Sequence, residues 1–289
     1  MNERRNIMRN MNYIGKYSLI VFTFVYFDAY SQSRPLITVV HDDGYDLVQT
    51  IVFSSDGSRF LTGTVKGNIW DSMTGKKLAT IEANGVRSAA FSPDGTQVVT
   101  GTSHLLMDLW DTITGTFIKE FKGPSSPDGP SPFTAIAFNP DGEKVITGDS
   151  DGDLVMWDIT TGNSEQIGDI GDVATSIQVT SDGKFVLGTT AIEAELFAIS
   201  TKEEMFAMLG VGATLLSDDR HMLISKYFSD VKKNKLMLVD IQTGEEVPYS
   251  PNFDRSGFKM TFTRDGSIGL MWDIREEKNR LQILSSNTA

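Results

Sequence analysis

The sequence predicts an all-β protein: a six-bladed β-propeller of four-stranded blades, its ring closed by a strand from the N-terminal region. Three observations carry that expectation. A hairpin phrase returns five times, a second turn phrase follows it at a steady distance, and successive units are spaced near 40 residues apart. Turn signals every 8–12 residues and the lack of helical periodicity point the same way.

Each unit opens with an apolar run and an Asp-Gly turn. The copies are "IVFSSDGSRFLTG" (51–63), "AAFSPDGTQVVTG" (89–101), "IAFNPDGEKVITG" (136–148), "IQVTSDGKFVLG" (177–188) and "MTFTRDGSIGLM" (260–271). Asp-Gly between two β-rich runs is a strong hairpin signal, because Gly accepts positive φ and Asp tolerates turn geometry. These runs form the first and second strands. A variable loop leads to a third strand ending in "NIWDSMTG" (68–75), "DLWDTITG" (108–115), "VMWDITTG" (155–162) or "MLVDIQTG" (237–244). The Thr-Gly turn then delivers an outer strand such as "KKLATIEA" (76–83). Trp70, Trp110 and Trp157 share one column of the third strand, continued by Phe197 in a worn fourth copy and by Val239. Runs such as "KVITG" and "LVMW" lack period-2 alternation, as expected of strands covered on both faces by neighbouring sheets.

Column alignment sets the blade count. Trp272-Asp273 imitates the third-strand signature, yet Trp272 follows Gly266 by six residues, as Gly63, Gly101 and Gly148 follow their turn glycines. Trp272 therefore belongs to a second strand, and "RLQILSS" (280–286), with Leu284 in the Trp column, is the third. No outer strand follows it. "LITVVH" (36–41), left over before the first unit, is expected to supply that strand and close the ring.

The Asp-Gly hairpins and "WDxxTG" phrases resemble the WD-repeat β-propellers over most of residues 36–289. The resemblance implies structural roles for Trp70, Asp71, Trp110, Asp111, Trp157, Asp158 and Asp240. It also implies a buried Asp–His–Ser/Thr–Trp network, with Asp151 at the Asp position. No unit carries the Gly-His pair of that network, and His41, His104 and His221 share no column. Apolar packing between blades is therefore expected to carry most of the stability.

Composition narrows the function. A formal charge of −12 offers no basic face for phosphates, so nucleic acid is not an expected partner. With no cysteine there is no thiol chemistry, disulfide or Cys-ligated metal. Arg4, Arg5, Arg9 and Lys16 precede the apolar run "LIVFTFVYF" (19–27), and Ala29 and Ser31 place small residues before Gln32. This pattern is a secretory signal over residues 1–31, leaving a single propeller domain over 32–289. The apolar run is too short for a bilayer span of about 20 residues. An extracytoplasmic monomer, periplasmic or secreted, with no stable membrane insertion, is the expectation.

Catalytic candidates are few. There is no nucleophile elbow, zincin motif or phosphate loop, and three scattered histidines provide neither a metal triad nor an acid–base pair. "DSDGD", with Asp149, Asp151 and Asp153, resembles a calcium loop but fits a tight hairpin better. "HDDGYD" (41–46) reads as a solvated loop. The quinoprotein-type propellers place a Trp four residues after the turn Gly, where this chain has Ala79, Lys119, Gln166 and Pro248. No cofactor, metal site or catalytic residue is therefore assigned.

Two readings of function stand. The first is a non-catalytic scaffold for a protein partner. The alternative is a propeller enzyme, lactonase-, quinoprotein- or hydrolase-like, with an acidic site at the central channel. Carboxylates converging on the channel would favour the second. For the first, the irregular segments mark the binding face: the insertion "GPSSPDGPSP" (123–132) and the hairpin loop "KYFSDVKKNK" (226–235). The latter sets Tyr227 and Phe228 beside Lys232 and Lys233, a suitable anchor for an acidic or mixed protein surface.

Overall fold

The computed structural model describes residues 48–102, 106–122, 131–216, 218–228, 233–247, 258–262, 268–273 and 281–285. The expected signal region, the closing strand at 36–41, most of the insertion and Lys232 lie outside these residues. Every regular element among those described is a strand.

The strands form consecutive antiparallel sheets in chain order. The first holds β1 (Thr50–Phe53), β2 (Arg59–Gly63), β3 (Gly67–Asp71) and β4 (Lys77–Ile81); the second holds β5 (Ser88–Phe91), β6 (Gln97–Gly101), β7 (Leu106–Asp111) and β8 (Phe117–Lys122). The third comprises β9 (Phe133–Phe138), β10 (Lys144–Asp149), β11 (Asp153–Asp158) and β12 (Ser164–Asp169). In the fourth are β13 (Ser176–Val179), β14 (Phe185–Thr189), β15 (Glu193–Ala198) and β16 (Glu203–Leu209). The fifth contains β17 (Val211–Leu215), β18 (His221–Phe228), β19 (Lys233–Asp240) and β20 (Glu246–Val247). The last has three described strands, β21 (Phe258–Phe262), β22 (Ile268–Asp273) and β23 (Leu281–Ser285). First strands touch in series, β1 to β5, β5 to β9, β9 to β13, β13 to β17 and β17 to β21. That is the radial arrangement of a propeller.

The column reading holds in the register. Trp70 lies opposite Phe60, Trp110 opposite Val98 and Trp157 opposite Val145. Leu284 lies opposite Gly269 in the same relation, and Trp272 sits on a second strand. The fifth unit has a turn that Asp-Gly spelling conceals: Asp219 takes the glycine slot at φ 53, where Gly57, Gly95, Gly142 and Gly183 take φ 68 to 76.

Packing explains the weak alternation. Second strands β2, β6, β10 and β14 are buried at nearly every position, whereas outer strands β8 and β12 expose most of theirs and β4 exposes its first two. The core is divided among the crevices between sheets. Ile69, Ala79 and Ile81 of the first sheet meet Phe91, Val98 and Trp110 of the second. Met107, Leu109 and Phe121 then meet Phe133, Val145 and Trp157. The next two crevices repeat this with Ile146, Leu154 and Ile167 against Val186 and Phe197, then Leu187 and Leu196 against Met222, Ile224 and Val239.

The expectation of mainly apolar support needs one correction. Trp70, Trp110 and Trp157 donate their indole N–H groups to Thr62, Thr100 and Thr147 at 2.8, 2.9 and 2.9 Å. The Trp–Thr half of the network therefore forms without histidine, since a buried indole N–H needs an acceptor and the neighbouring second strand supplies one. Asp151 accepts a hydrogen bond from Ser131, on the connection into β9, so a hydroxyl serves there as donor.

Candidate functional site

The two faces of the molecule differ in how their polar groups are used. Asp-Gly and Thr-Gly turns share one face: Ser72 N donates to Ser58 O at 2.9 Å, Thr112 N to Thr96 O at 3.0 Å and Ile159 N to Glu143 O at 3.0 Å. On this face the carboxylates close their own turns. Asp56 accepts from the Ser54 hydroxyl (2.6 Å), the Ser58 amide (3.0 Å) and the Ser58 hydroxyl (2.9 Å), which hold its pKa down at about 2. Asp71 accepts from the Thr74 hydroxyl and amide, both at 2.7 Å, and is lowered by them. Asp111 and Asp158 repeat the motif with Thr114 and Thr161. Asp240 accepts the amides of Gln242 and Thr243 and pairs with Arg220 at 2.9 Å.

The opposite face collects the connections into first strands and the hairpins between second and third strands. Ser150 N donates to Pro132 O, Ala174 N to Asp149 O and Gly210 N to Ile192 O. Asp149 accepts the amides of Asp151, Gly152 and Asp153, each at 3.0 Å, so the "DSDGD" carboxylate holds a hairpin. Among the described residues no group of acidic or histidine side chains has the spacing of a metal site.

The expected partner loop at 226–235 has a different form. β18 and β19 remain paired through Lys226–Lys235, Tyr227–Asn234 and Phe228–Lys233, leaving only 229–232 as the turn. First-strand pairing stops at Ser225, so the last three pairs form a two-stranded ribbon beyond the sheet. Tyr227 and Phe228 are consecutive strand positions of that ribbon. Strand propensity of "LISKYF" continues the ladder where a polar-looking stretch suggests a loop.

Sequence reading misses the cleft between the third and fourth sheets. A cavity of about 390 Å³ there is lined by Asp169, Asp172, Thr190, Ile192, Glu193 and Glu195 among others. Asp169 ends β12 and Asp172 lies in the β12–β13 connection; Thr190 and Ile192 lie in the β14–β15 turn, and Glu193 opens β15. Asp169 accepts the Gly171 amide at 2.8 Å, and Thr190 accepts the Ile192 and Glu193 amides at 3.3 and 3.0 Å. Glu195 lines the cleft from β15 and is 8% exposed, and its carboxylate has neither a hydrogen bond nor an ion pair. Burial pushes its carboxyl up to about 7, and the charges of Glu193, Glu204 and Asp169 push the same way. Asp153 extends the negative field, lying opposite Asp169 and raised by burial and by that neighbour. Around the mouth, Ile192, Leu209 and Val173 are exposed apolar residues. No signal in the sequence singles out Glu195: the place two residues before the Trp column holds Asn68, Asp108, Val155 and Met237 in the other units.

Comparison with known proteins agrees with this architecture. The family model "WD domain, G-beta repeat" matches residues 75–111 and 115–158. No curated protein matches the chain. Among solved structures, hydrazine synthase of Kuenenia stuttgartiensis is similar at a TM-score of 0.64 and 14% identity, over 82% of this chain and 76% of that one. At that identity the likeness concerns the fold.

Proposed function

The chain is a WD-repeat β-propeller, and on that premise we propose that it is an extracytoplasmic, non-catalytic scaffold that binds a protein partner through the face carrying the β18–β19 ribbon. The observation that carries this reading is the asymmetry between faces. The turn face spends its aspartates on its own loops, as Asp56, Asp71 and Asp111 do, and offers repeated, self-satisfied surface. The opposite face has the irregular features: the ribbon and an acidic cleft edged by apolar side chains.

The enzyme alternative asks for acidic groups along the axis. First strands read TIVF, SAAF, FTAIAF, SIQV, VGATL and FKMTF, without a carboxylate among them. The carboxylates gather instead where the end of β12 and the β12–β13 connection meet the β14–β15 hairpin of the next sheet. This supports binding over hydrolysis or lactone chemistry.

The test is affinity capture from native extract with full-length and face-specific variants. Phe228→Ala combined with Lys233→Glu is expected to reduce recovery of the partner at least tenfold. Met73→Ser with Ile113→Ser, on the turn face, should leave recovery within twofold. The opposite pattern would reject this assignment of faces. Export is checked separately by N-terminal sequencing of secreted protein, which should begin at Gln32.

A further inference from the structure

We propose that the cleft between the third and fourth sheets receives a basic side chain, arginine or lysine, from a partner polypeptide, its cationic head against Glu195 and its aliphatic stem across Ile192. The inference rests on the scaffold reading above and adds the chemistry of what is bound.

Glu195 makes the case. Glu195 as a residue is 8% exposed, and a carboxylate held in so buried a residue ordinarily carries a cation or several N–H donors, because burying an unpaired charge is costly. Its carboxylate has neither, and the charges acting on it from Glu193, Glu204 and Asp169 are all negative. The site therefore offers a buried acceptor and an unbalanced field within an open cavity of about 390 Å³. A side-chain cation supplies donors and charge together, and a guanidinium presents donors to more than one carboxylate at once.

The rim explains why the cation should arrive on a polypeptide. Ile192 is 60% exposed and Leu209, opposite Glu193 in the β15–β16 ladder, is 62% exposed. Long basic side chains lay their methylene stems along such surface while the head goes elsewhere. A small inorganic cation would leave the rim uncovered, and the carboxylates lack the spacing of a metal site. The neighbouring main chain is already committed: Gly210 N to Ile192 O at 2.8 Å and Thr190 N to Glu193 O at 2.8 Å. Side chains therefore dominate recognition.

The experiment titrates the full chain with terminally blocked heptapeptides of glycine and leucine. Each carries one central arginine, lysine or citrulline, at low salt and pH 8, with binding read by chemical-shift perturbation. The arginine and lysine peptides should bind at least tenfold more tightly than the citrulline peptide. Glu195→Gln, which keeps shape and loses charge, should weaken the cationic peptides at least fivefold without lowering the melting temperature. Glu203→Gln, exposed at the other end of β16, should change them less than twofold. Affinity should fall from pH 8 to pH 6 in the wild type, where Glu195 faces Glu193 on its own strand, Glu204 on β16, and Asp169 and Asp172 from the third sheet. In Glu195→Gln most of that fall should disappear. Equal binding of the citrulline peptide, or unchanged binding by Glu195→Gln, would overturn the proposal. So would blocked arginine alone binding as tightly as the heptapeptide, which would make the cleft a small-amine site. Failure here with partner capture still lost through the ribbon variant rejects the cleft and leaves the scaffold reading standing. Capture that maps to the turn face rejects the scaffold reading, whatever the peptides do.

Discussion

In the third sheet Trp157 donates to Thr147, whereas in the fourth the corresponding positions hold Phe197 and Gly188. The fifth has Val239 and Ile224, and the sixth Leu284 and Met271. Donor and acceptor disappear together in every worn unit. Losing both leaves no buried polar group unpaired and is close to neutral, whereas losing one costs the full desolvation of the other. The contrast extends two residues upstream, where Val155 packs in the second–third crevice and Glu195 faces open space in the third–fourth. It extends again to the turn, where Gly162 takes φ 81 and Lys202 is held at φ 62. One backbone thus carries two chemistries, and the cleft lies in the sheet that departs from the repeat.

The largest expected effect tests whether the conserved-looking unit is the stronger support. Trp157→Ala, at a site only 1% exposed, should cost about 3–5 kcal/mol in denaturant unfolding. A cost below about 1 kcal/mol would show that this crevice collapses freely.

Next is the pH dependence of the fourth sheet. Glu195 sits at about 7 against an ordinary 4.5. Between those values the folded chain keeps a proton that the unfolded chain releases, so its contribution to stability falls as pH rises through that window. Glu195→Gln removes the penalty. It should match the wild type near pH 4 and exceed it at pH 8 by about 2 kcal/mol, less than full linkage because the carboxylate borders the cleft. Equal stability curves across that range would remove the unpaired carboxylate from the account.

A smaller effect isolates the hydrogen bond. Trp157→Phe and Thr147→Val should each destabilise, and the double variant should be less costly than their sum by about 1 kcal/mol. Strict additivity would mean that the 2.9 Å contact contributes nothing beyond packing.

The smallest concerns the turn. Lys202→Gly relieves a left-handed backbone at the loss of an exposed ion pair to Glu165, and should raise stability by about 0.5–1 kcal/mol. Gly162→Ala in the third sheet should move stability the other way by about 1 kcal/mol.

How far the residues alone could be read depends on the range of the interaction. Asp-Gly turns, third-strand columns, the second-strand place of Trp272 and the Leu284 register were legible because each is written within a dozen residues by turn chemistry and strand period. The Asp218-Asp219 turn was hidden because αL geometry was met there by a non-glycine residue. The 226–235 segment was misjudged because its lysines suggest solvent, while pairing with the opposite strand prolongs the ladder. Three indoles in one column could be aligned, but their threonine acceptors lie on neighbouring strands and need the sheet to be identified.

What the sequence by itself determined is the repeat: its period, its turns, the burial of second strands on both faces and the six-unit column alignment. These follow from local backbone preference and from patterning repeated along the chain. Tertiary structure alone decided which polar groups are satisfied and which are left over. Glu195 and Asp169 are far enough apart in sequence that no motif joins them, and only the meeting of the end of β12 and the β12–β13 connection with the β14–β15 hairpin of the next sheet sets them in a single cleft. The field that raises Glu195 is a sum over side chains from several elements, and it exists only once those elements meet.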